Sequence, residues 1–70
     1  MMKSVYPLEQ WVEYGGVDTD EEWAVVCDDC GKTLVEDFGD DVLNWVLRRG
    51  RNKFICPYCG ECNLLAVYHP

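Results

Sequence analysis

Two Cys-x-x-Cys-Gly motifs are the feature that most constrains the fold of this chain. Cys27 and Cys30 form the first pair, Cys56 and Cys59 form the second, and 25 residues separate the two pairs. Each pair directs two sulfurs at one ion, so that two pairs complete a tetrahedral four-thiolate site. A glycine follows each second cysteine, where the turn favours a residue that takes positive φ at low cost. The spacing therefore predicts that all four cysteines bind a metal ion, most simply Zn²⁺.

The size and composition of the chain agree with a metal-stabilised domain. With 70 residues the chain buries only a modest core, and a structural metal is a common remedy at this size. A hydrophobic fraction of 49% is not a disordered composition. No apolar run approaches the ~20 residues of a membrane span, and no export signal is evident. We therefore expect a reducing, cytoplasmic location without a membrane partner, whereas a disulfide scaffold is the alternative reading of the cysteines.

The pattern along the chain predicts an N-terminal arm over residues 1–17 and a second unit over residues 18–70. Pro7 is expected to open a short helix in the arm, which Gly15 and Gly16 end. Strands are expected over residues 23–26, 33–38, 53–55 and 63–68. A helix is expected over residues 40–49, with Asp40 as its N-cap and Gly50 as its C-cap.

The two knuckles, residues 27–31 and 56–60, resemble those of the zinc ribbon family. The resemblance covers roughly residues 22–68 and implies a small fold in which two antiparallel hairpins clamp one zinc ion. With the helix 40–49 inserted between the hairpins and the short N-terminal arm or helix, we expect a small metal-stabilised α+β fold. Zinc ribbons bind DNA, RNA or proteins, so the fold does not name the function. Rubredoxins share the knuckle pattern and bind iron, which makes an electron carrier one alternative, although Lys32 stands where their pattern has an aromatic residue.

The charge of the chain is unevenly distributed. Residues 1–47 hold two basic and twelve acidic side chains, a balance of −10, whereas residues 48–70 hold four basic and one acidic, a balance of +3. The basic cluster consists of Arg48, Arg49, Arg51 and Lys53. It is either a phosphate-contacting loop for DNA or RNA, or favourable charge at a helix C-terminus. The surrounding negative charge favours the second interpretation.

The acidic residues suggest a surface for a protein partner with a basic groove. The candidates are Asp18, Asp20, Glu21, Glu22, Asp28 and Asp29. Spaced carboxylates can occupy sites built for phosphates, as in a short inhibitor encoded by a phage or mobile element that imitates nucleic-acid charge. Simple solvation of a small domain is the alternative.

A closed four-sulfur shell and the lack of a nucleophile–base pair predict that the protein is not an enzyme. We therefore expect a non-enzymatic adaptor or inhibitor. A homodimer through Trp11 and Tyr14 is a further alternative for the arm. Cys62 is read as a small half-buried hydrophobe rather than a reserve ligand, and His69 as a solvated side chain.

Overall fold

The computed structural model describes residues 5–60 and 64–69, which form one antiparallel sheet with two helices. Cys62, which the sequence predicts to be half-buried, lies outside these residues. The elements in chain order are β1 (Val5–Pro7), α1 (Leu8–Glu13), β2 (Glu22–Cys27), β3 (Thr33–Phe38), α2 (Gly39–Arg48), a 3-10 turn (Gly50–Asn52) and β4 (Leu64–Tyr68). The strand order across the sheet is β1-β4-β2-β3.

The hairpin of β2 and β3 carries the first knuckle at its tip, as the sequence predicts. Trp23 pairs with Asp37 and Val25 with Val35, but Val26 pairs with Thr33, so that Leu34 is an extra residue in β3. A bulge of this kind bends the strand locally and adds twist. It lies immediately before the turn that begins at Cys27.

The core lies on one face of the sheet, because alternate residues of a strand point to opposite faces. Trp23, Val25 and Cys27 of β2 point to this face and are 1% exposed or less. Both helices and the segment that carries Cys56 cover it. The buried side chains that they and β4 contribute are Leu8, Trp11, Val42, Val46, Cys56, Leu64 and Ala66.

The N-terminal residues are part of this sheet and core. In β1, Val5 pairs with Val67 of β4. In α1, Trp11 is fully buried, and its ring centroid lies 5.6 Å from that of Trp23. The predicted short helix is confirmed, with Pro7 at its N-cap. The division of the chain after residue 17 stays a prediction.

The start of α2 corrects one sequence-based expectation. Asp40 was expected as the N-cap, but the helix begins at Gly39 with Phe38 in the N-cap position and no side-chain capping bond. The turn before β2 does the capping instead. The N–H of Gly39 donates to the carbonyl of Glu21 at 2.8 Å, and the N–H of Asp40 donates to that of Thr19 at 3.1 Å. Because backbone carbonyls satisfy these first amides, no capping side chain is needed.

The opposite face of the sheet has no covering helix among the described residues. We call it the open face; its central residues are Val5, Ala24, Val26, Leu65 and Val67. They share this face because Val26 pairs with Leu65 and Ala24 with Val67, out of phase with the core residues. Antiparallel sheets commonly turn polar side chains to water on the uncovered side. Here aliphatic side chains occupy that side instead.

No helix within residues 5–60 and 64–69 is long and apolar enough to span a membrane.

The close approach of Gly39 to the turn before β2 gives the first prediction. A Cβ at this position would lie 2.5 Å from Cα of Thr19. Because backbone cannot move aside cheaply, we expect Gly39→Ala to destabilise the fold by roughly 1–3 kcal/mol. Chemical denaturation of the metal-loaded protein measures this free energy of unfolding.

Gly50→Ala is the matched control. A Cβ there meets nothing within 4 Å, but φ is +72°, so the expected cost is about 1 kcal/mol of backbone strain. If Gly39→Ala were as stable as the wild type, the close packing of this turn against α2 would be wrong.

Candidate metal centre

Four cysteine sulfurs from the two knuckles converge at one end of the sheet. The Sγ atoms of Cys27, Cys30, Cys56 and Cys59 all lie within 4.8 Å of one another. Two distances cross between the knuckles: Cys27 Sγ to Cys59 Sγ is 3.5 Å, and Cys30 Sγ to Cys56 Sγ is 3.8 Å. A tetrahedral ion with metal–sulfur bonds of about 2.3 Å requires sulfur–sulfur separations of about 3.8 Å. The four sulfurs are therefore positioned to hold a metal ion.

The first knuckle is a tight turn that continues the β2–β3 hairpin. The N–H of Cys27 donates to the carbonyl of Lys32, and the N–H of Gly31 donates to the carbonyl of Cys27, both at 2.9 Å. Gly31 has φ +72°, as the motif predicts. The N–H of Cys30 lies 3.5 Å from Cys27 Sγ and points a donor at that sulfur. This turn thus orients both sulfurs toward the second knuckle.

The second knuckle repeats the turn but not the predicted hairpin. The N–H of Gly60 donates to the carbonyl of Cys56 at 2.9 Å, and Gly60 has φ +76°. The strand expected over residues 53–55 is wrong, because these residues form turns. After the knuckle, β4 pairs with β1 and β2. The expectation of two hairpins clamping the ion therefore holds only for the first knuckle.

Arg49 explains why residues 53–55 do not form a strand. Its guanidinium donates to the carbonyl of Lys53 at 3.1 Å and to the carbonyl of Ile55 at 2.8 Å. These two acceptors, on alternate residues, are the groups that a neighbouring strand would otherwise use. The guanidinium carbon also lies 4.9 Å from the ring centroid of Trp45 in α2. Arg49 therefore fixes the segment that leads into Cys56.

The two knuckles present one buried and one exposed cysteine each. Cys27 and Cys56 are fully buried, whereas Cys30 and Cys59 are exposed. Each buried sulfur lies beside the exposed sulfur of the other knuckle. Outside the sulfurs, Lys32 Nζ lies 5.1 Å from the ring centroid of Tyr58 and connects the two turns by a cation–π contact.

The cluster shifts the acidity of two thiols in opposite directions. Burial acts to raise the pKa of Cys56, but hydrogen bonds from the amides of Tyr58 and Cys59 and from neighbouring thiols outweigh it and lower that pKa to about 7. At Cys30 the Lys32 amide acts to lower the pKa. The Cys27 thiol, partial burial and the Cys56 thiol outweigh that amide and raise the pKa. The thiolate is the form that binds metal, and the lowered pKa of Cys56 favours that form.

The four side chains of the basic cluster have different surroundings. Arg49 is committed to the backbone of the loop, as described above. Lys53 Nζ lies 5.4 Å from the ring centroid of Phe54. Arg48 lies in a groove with Asp37 and Asp41, whereas the side chain of Arg51 is exposed.

The six acidic candidates fall into two groups. Asp28 and Asp29 lie in the first knuckle, next to the metal centre. The other four, Asp18, Asp20, Glu21 and Glu22, lie at the opposite end of β2, which at 3.3 Å per residue is about 17 Å long. There the hydroxyl of Tyr68 lies 3.5 Å from Glu21 Oε2, and burial followed by the charge of Glu21 raises the pKa of that tyrosine.

His69 is exposed, as the sequence predicts, and its Nε2 lies 3.7 Å from Glu36 Oε2. Sequence reasoning missed two features of the site region. The role of Arg49 had no signal, because a helix-terminal arginine is expected for dipole reasons alone. The open face did have a signal in the sequence. β4 carries an unbroken apolar run over residues 64–67, which indicates a strand with apolar side chains on both faces.

Comparison with known proteins adds no relative. A scan against protein-family profiles, a search of curated proteins and a search of solved structures each found no match.

Metal binding gives the second prediction. We expect one zinc ion per chain, and we expect its removal by a strong chelator to unfold the protein, because a structural zinc contributes on the order of 10 kcal/mol to the folded state. Elemental analysis measures the metal content, and circular dichroism before and after chelation measures the loss of the fold. A folded spectrum with no metal present would contradict the prediction.

Two substitutions separate the ligands from the fifth cysteine. Cys56→Ser is expected to abolish stoichiometric metal binding, since a hydroxyl is a poor replacement for a thiolate. Cys62→Ser is the matched control and is expected to retain one metal per chain. Loss of metal from Cys62→Ser alone would mean that the ligand set is wrong.

The loop contact of Arg49 gives the third prediction. Arg49→Lys keeps the charge but loses the two-pronged contact with the carbonyls of Lys53 and Ile55. We expect it to cost about 1–3 kcal/mol of unfolding free energy and to speed the release of metal to a chelator. Arg51→Lys, at an exposed position of the same loop, is expected to change neither quantity. Equal behaviour of the two variants would contradict the structural role of Arg49.

Proposed function

We propose that this chain is a non-enzymatic, zinc-stabilised protein-interaction module that acts as an adaptor or inhibitor by binding a protein with a basic surface. The open face is the observation that carries the proposal. The metal centre supports it from the structural side, and the charge distribution indicates the chemistry of the partner.

The four-sulfur arrangement favours a structural ion over a catalytic one. Catalytic zinc sites keep a position for water, whereas four thiolates fill the tetrahedron. The second knuckle precedes the segment that leads into β4, and the first ends β2, so that an ion bound by both knuckles ties the two central strands together at one end. Its role is therefore to hold the sheet.

The open face supports a docking function. Val26, Leu65 and Val67 are half-buried, no helix of the described residues covers them, and Val5 is 40% exposed. A contiguous aliphatic surface of this kind is a feature of interaction sites in small soluble domains. It is also the surface that the helices leave free, so binding there needs no rearrangement of the core.

The charge distribution supports a partner with a basic surface. At the end of the open face away from the metal centre, Glu22, Glu36 and His69 line a shallow cleft of about 230 Å³ together with Asp37. The three carboxylates outweigh one histidine, and the whole chain carries −7. A partner with an apolar surface beside lysine or arginine side chains complements both parts of the site, and electrostatic attraction would speed its association.

Nucleic-acid binding is supported less well. Of the four basic candidates, Arg49 contacts backbone carbonyls, and Arg48 lines the same groove as Asp37 and Asp41. An electron carrier with iron in the same four-sulfur site is the second candidate, since tetrahedral sulfur ligands suit both metals. The absorption spectrum of the purified protein distinguishes iron from zinc in this site, because ferric thiolate is red and zinc thiolate is colourless.

The fourth prediction tests the open face. In the double variant Val26→Lys/Leu65→Glu, the two charges are opposite and lie on a cross-strand pair, so the ladder is preserved. We expect cross-linking capture from the cell that encodes the chain to recover a basic protein with the wild type and to lose it with this variant, because charged side chains replace the aliphatic contact surface. Quantitative mass spectrometry of the captured proteins measures the loss.

Arg51→Glu is the control for the basic loop, and we expect it to capture the same partner as the wild type. Metal content confirms that each variant is folded. Capture that survives the open-face variant but disappears with Arg51→Glu or after nuclease treatment would overturn the proposal in favour of nucleic-acid binding.

A further inference from the structure

We infer that β3 accepts an added strand from the partner, with lysine or arginine side chains at alternate positions and the backbone of Thr33–Phe38 as the template. The inference rests on the proposed function and names the mode of binding: strand addition to an exposed sheet edge, where main-chain hydrogen bonds give affinity and alternate side chains give specificity.

The sheet order leaves β3 with one free edge. In the described part of the chain, β3 pairs only with β2, and it is six residues long, twice the length of β1 at the other edge. The N–H of Gly39 donates to the carbonyl of Glu21. In an antiparallel ladder such bonded pairs recur every second residue, so Asp37 and Val35 bond inward to β2. The N–H and C=O of Glu36 therefore point outward.

At the C-terminal end of β3, a side chain of the strand itself accepts an outward hydrogen bond. The N–H of Phe38 also belongs to the outward set, and it donates to its neighbour Asp37 Oδ1 at 2.9 Å. Beyond Phe38 the chain turns into α2. The outward groups of Glu36 are thus the part of the edge that an added strand would pair with first.

Clefts flank this edge on both faces of the sheet. On the open face lies the cleft of about 230 Å³ with Glu22, Glu36 and Asp37. On the core side, a groove of about 380 Å³ runs between β3 and α2 and is lined by Val35, Asp37, Asp41, Asn44, Trp45 and Arg48. Successive side chains of an added strand point to opposite faces. They would therefore enter the two clefts alternately.

The charges select a basic strand and disfavour a second copy of this chain. Glu36 and Asp37 are adjacent in β3, so each face of the edge has its own carboxylate. Antiparallel pairing of two β3 strands would gather four carboxylates on one short ladder, and like charges destabilise such pairs. Cationic side chains at alternate positions of an added strand lie on one face, so they form cross-strand ion pairs with Glu36 or with Asp37, according to the register. Asp41 adds a further carboxylate to the groove, in which Arg48 is the opposing cation.

The test uses the full metal-loaded chain and a synthetic probe, an acetylated and amidated octapeptide of alternating lysine and valine. We expect the largest amide shifts in ¹⁵N–¹H spectra over residues 33–38. A fully N-methylated peptide of the same sequence keeps its charge but loses its backbone donors, and we expect it to bind at least tenfold more weakly. A glutamate–valine peptide is expected not to bind.

A pair of variants at position 36 separates the contribution of the backbone hydrogen bond to peptide binding from that of the carboxylate charge. Glu36→Thr removes the carboxylate and keeps the outward N–H, whereas Glu36→Pro removes both, and proline is tolerated at an edge with its nitrogen facing solvent. We expect a few-fold loss of peptide affinity for the first and at least a tenfold loss for the second. Should the proline variant fail to fold, judged by metal content, the N-methylated peptide decides the matter.

Three results would overturn the inference: equal binding of the N-methylated peptide, equal affinity of the two Glu36 variants, or shifts confined to residues 24, 26, 65 and 67 of the open face. If the Glu36→Pro protein still captures the partner that the open-face variant loses, strand addition fails while the proposed function stands. Self-association through β3, detected by sedimentation and abolished by Glu36→Pro, would replace the basic strand by a second copy and also overturn the inference.

Discussion

The convergence of four sulfurs at one end of the sheet is the constraint on which the rest of the structure depends. Cys27 and Cys56 are core residues as well as candidate ligands, because both are fully buried. The four-sulfur cluster therefore fixes the positions of three segments at once: β2, the loop after α2 and the second knuckle. In a chain of 70 residues with a modest core, an ion held by all four sulfurs would join the two knuckles, which lie far apart in sequence, through strong directional bonds.

This constraint also accounts for the one-sided architecture. With the knuckles and both helices on one face, Trp11, Trp23 and the aliphatic residues of α2 have a common interior. The other face keeps its aliphatic side chains without a cover among the described residues. A sheet of this kind is stable alone only when its inner face is well packed and its strands are tied. Such a sheet would present a rigid surface to the proposed partner, which would reduce the entropic cost of association.

The sequence was sufficient for the features that depend on local chemistry. The knuckle turns, the β2–β3 hairpin and α2 follow from Cys-x-x-Cys-Gly spacing, strand alternation and helical periodicity. The pairing of β1 with β4 could not be foreseen, because a three-residue strand has too short a pattern. The strand expected over residues 53–55 failed for a different reason: Arg49, four and six residues away, competes for its carbonyls. Asp40 was displaced as a cap by carbonyls from a turn that precedes it by about 20 residues, which no local pattern encodes.

The alternation of buried and exposed cysteines has a kinetic consequence. Of the four cysteines of the site, only Cys30 and Cys59 are exposed to an external thiol or chelator, so exchange of a bound ion would start at either turn while Cys27 and Cys56 hold it from the inside. Lys32 and Tyr58 lie on this outer side and narrow the approach. An ion bound here would thus be held by two core residues but replaced from the solvent side, where Cys30 and Cys59 lie.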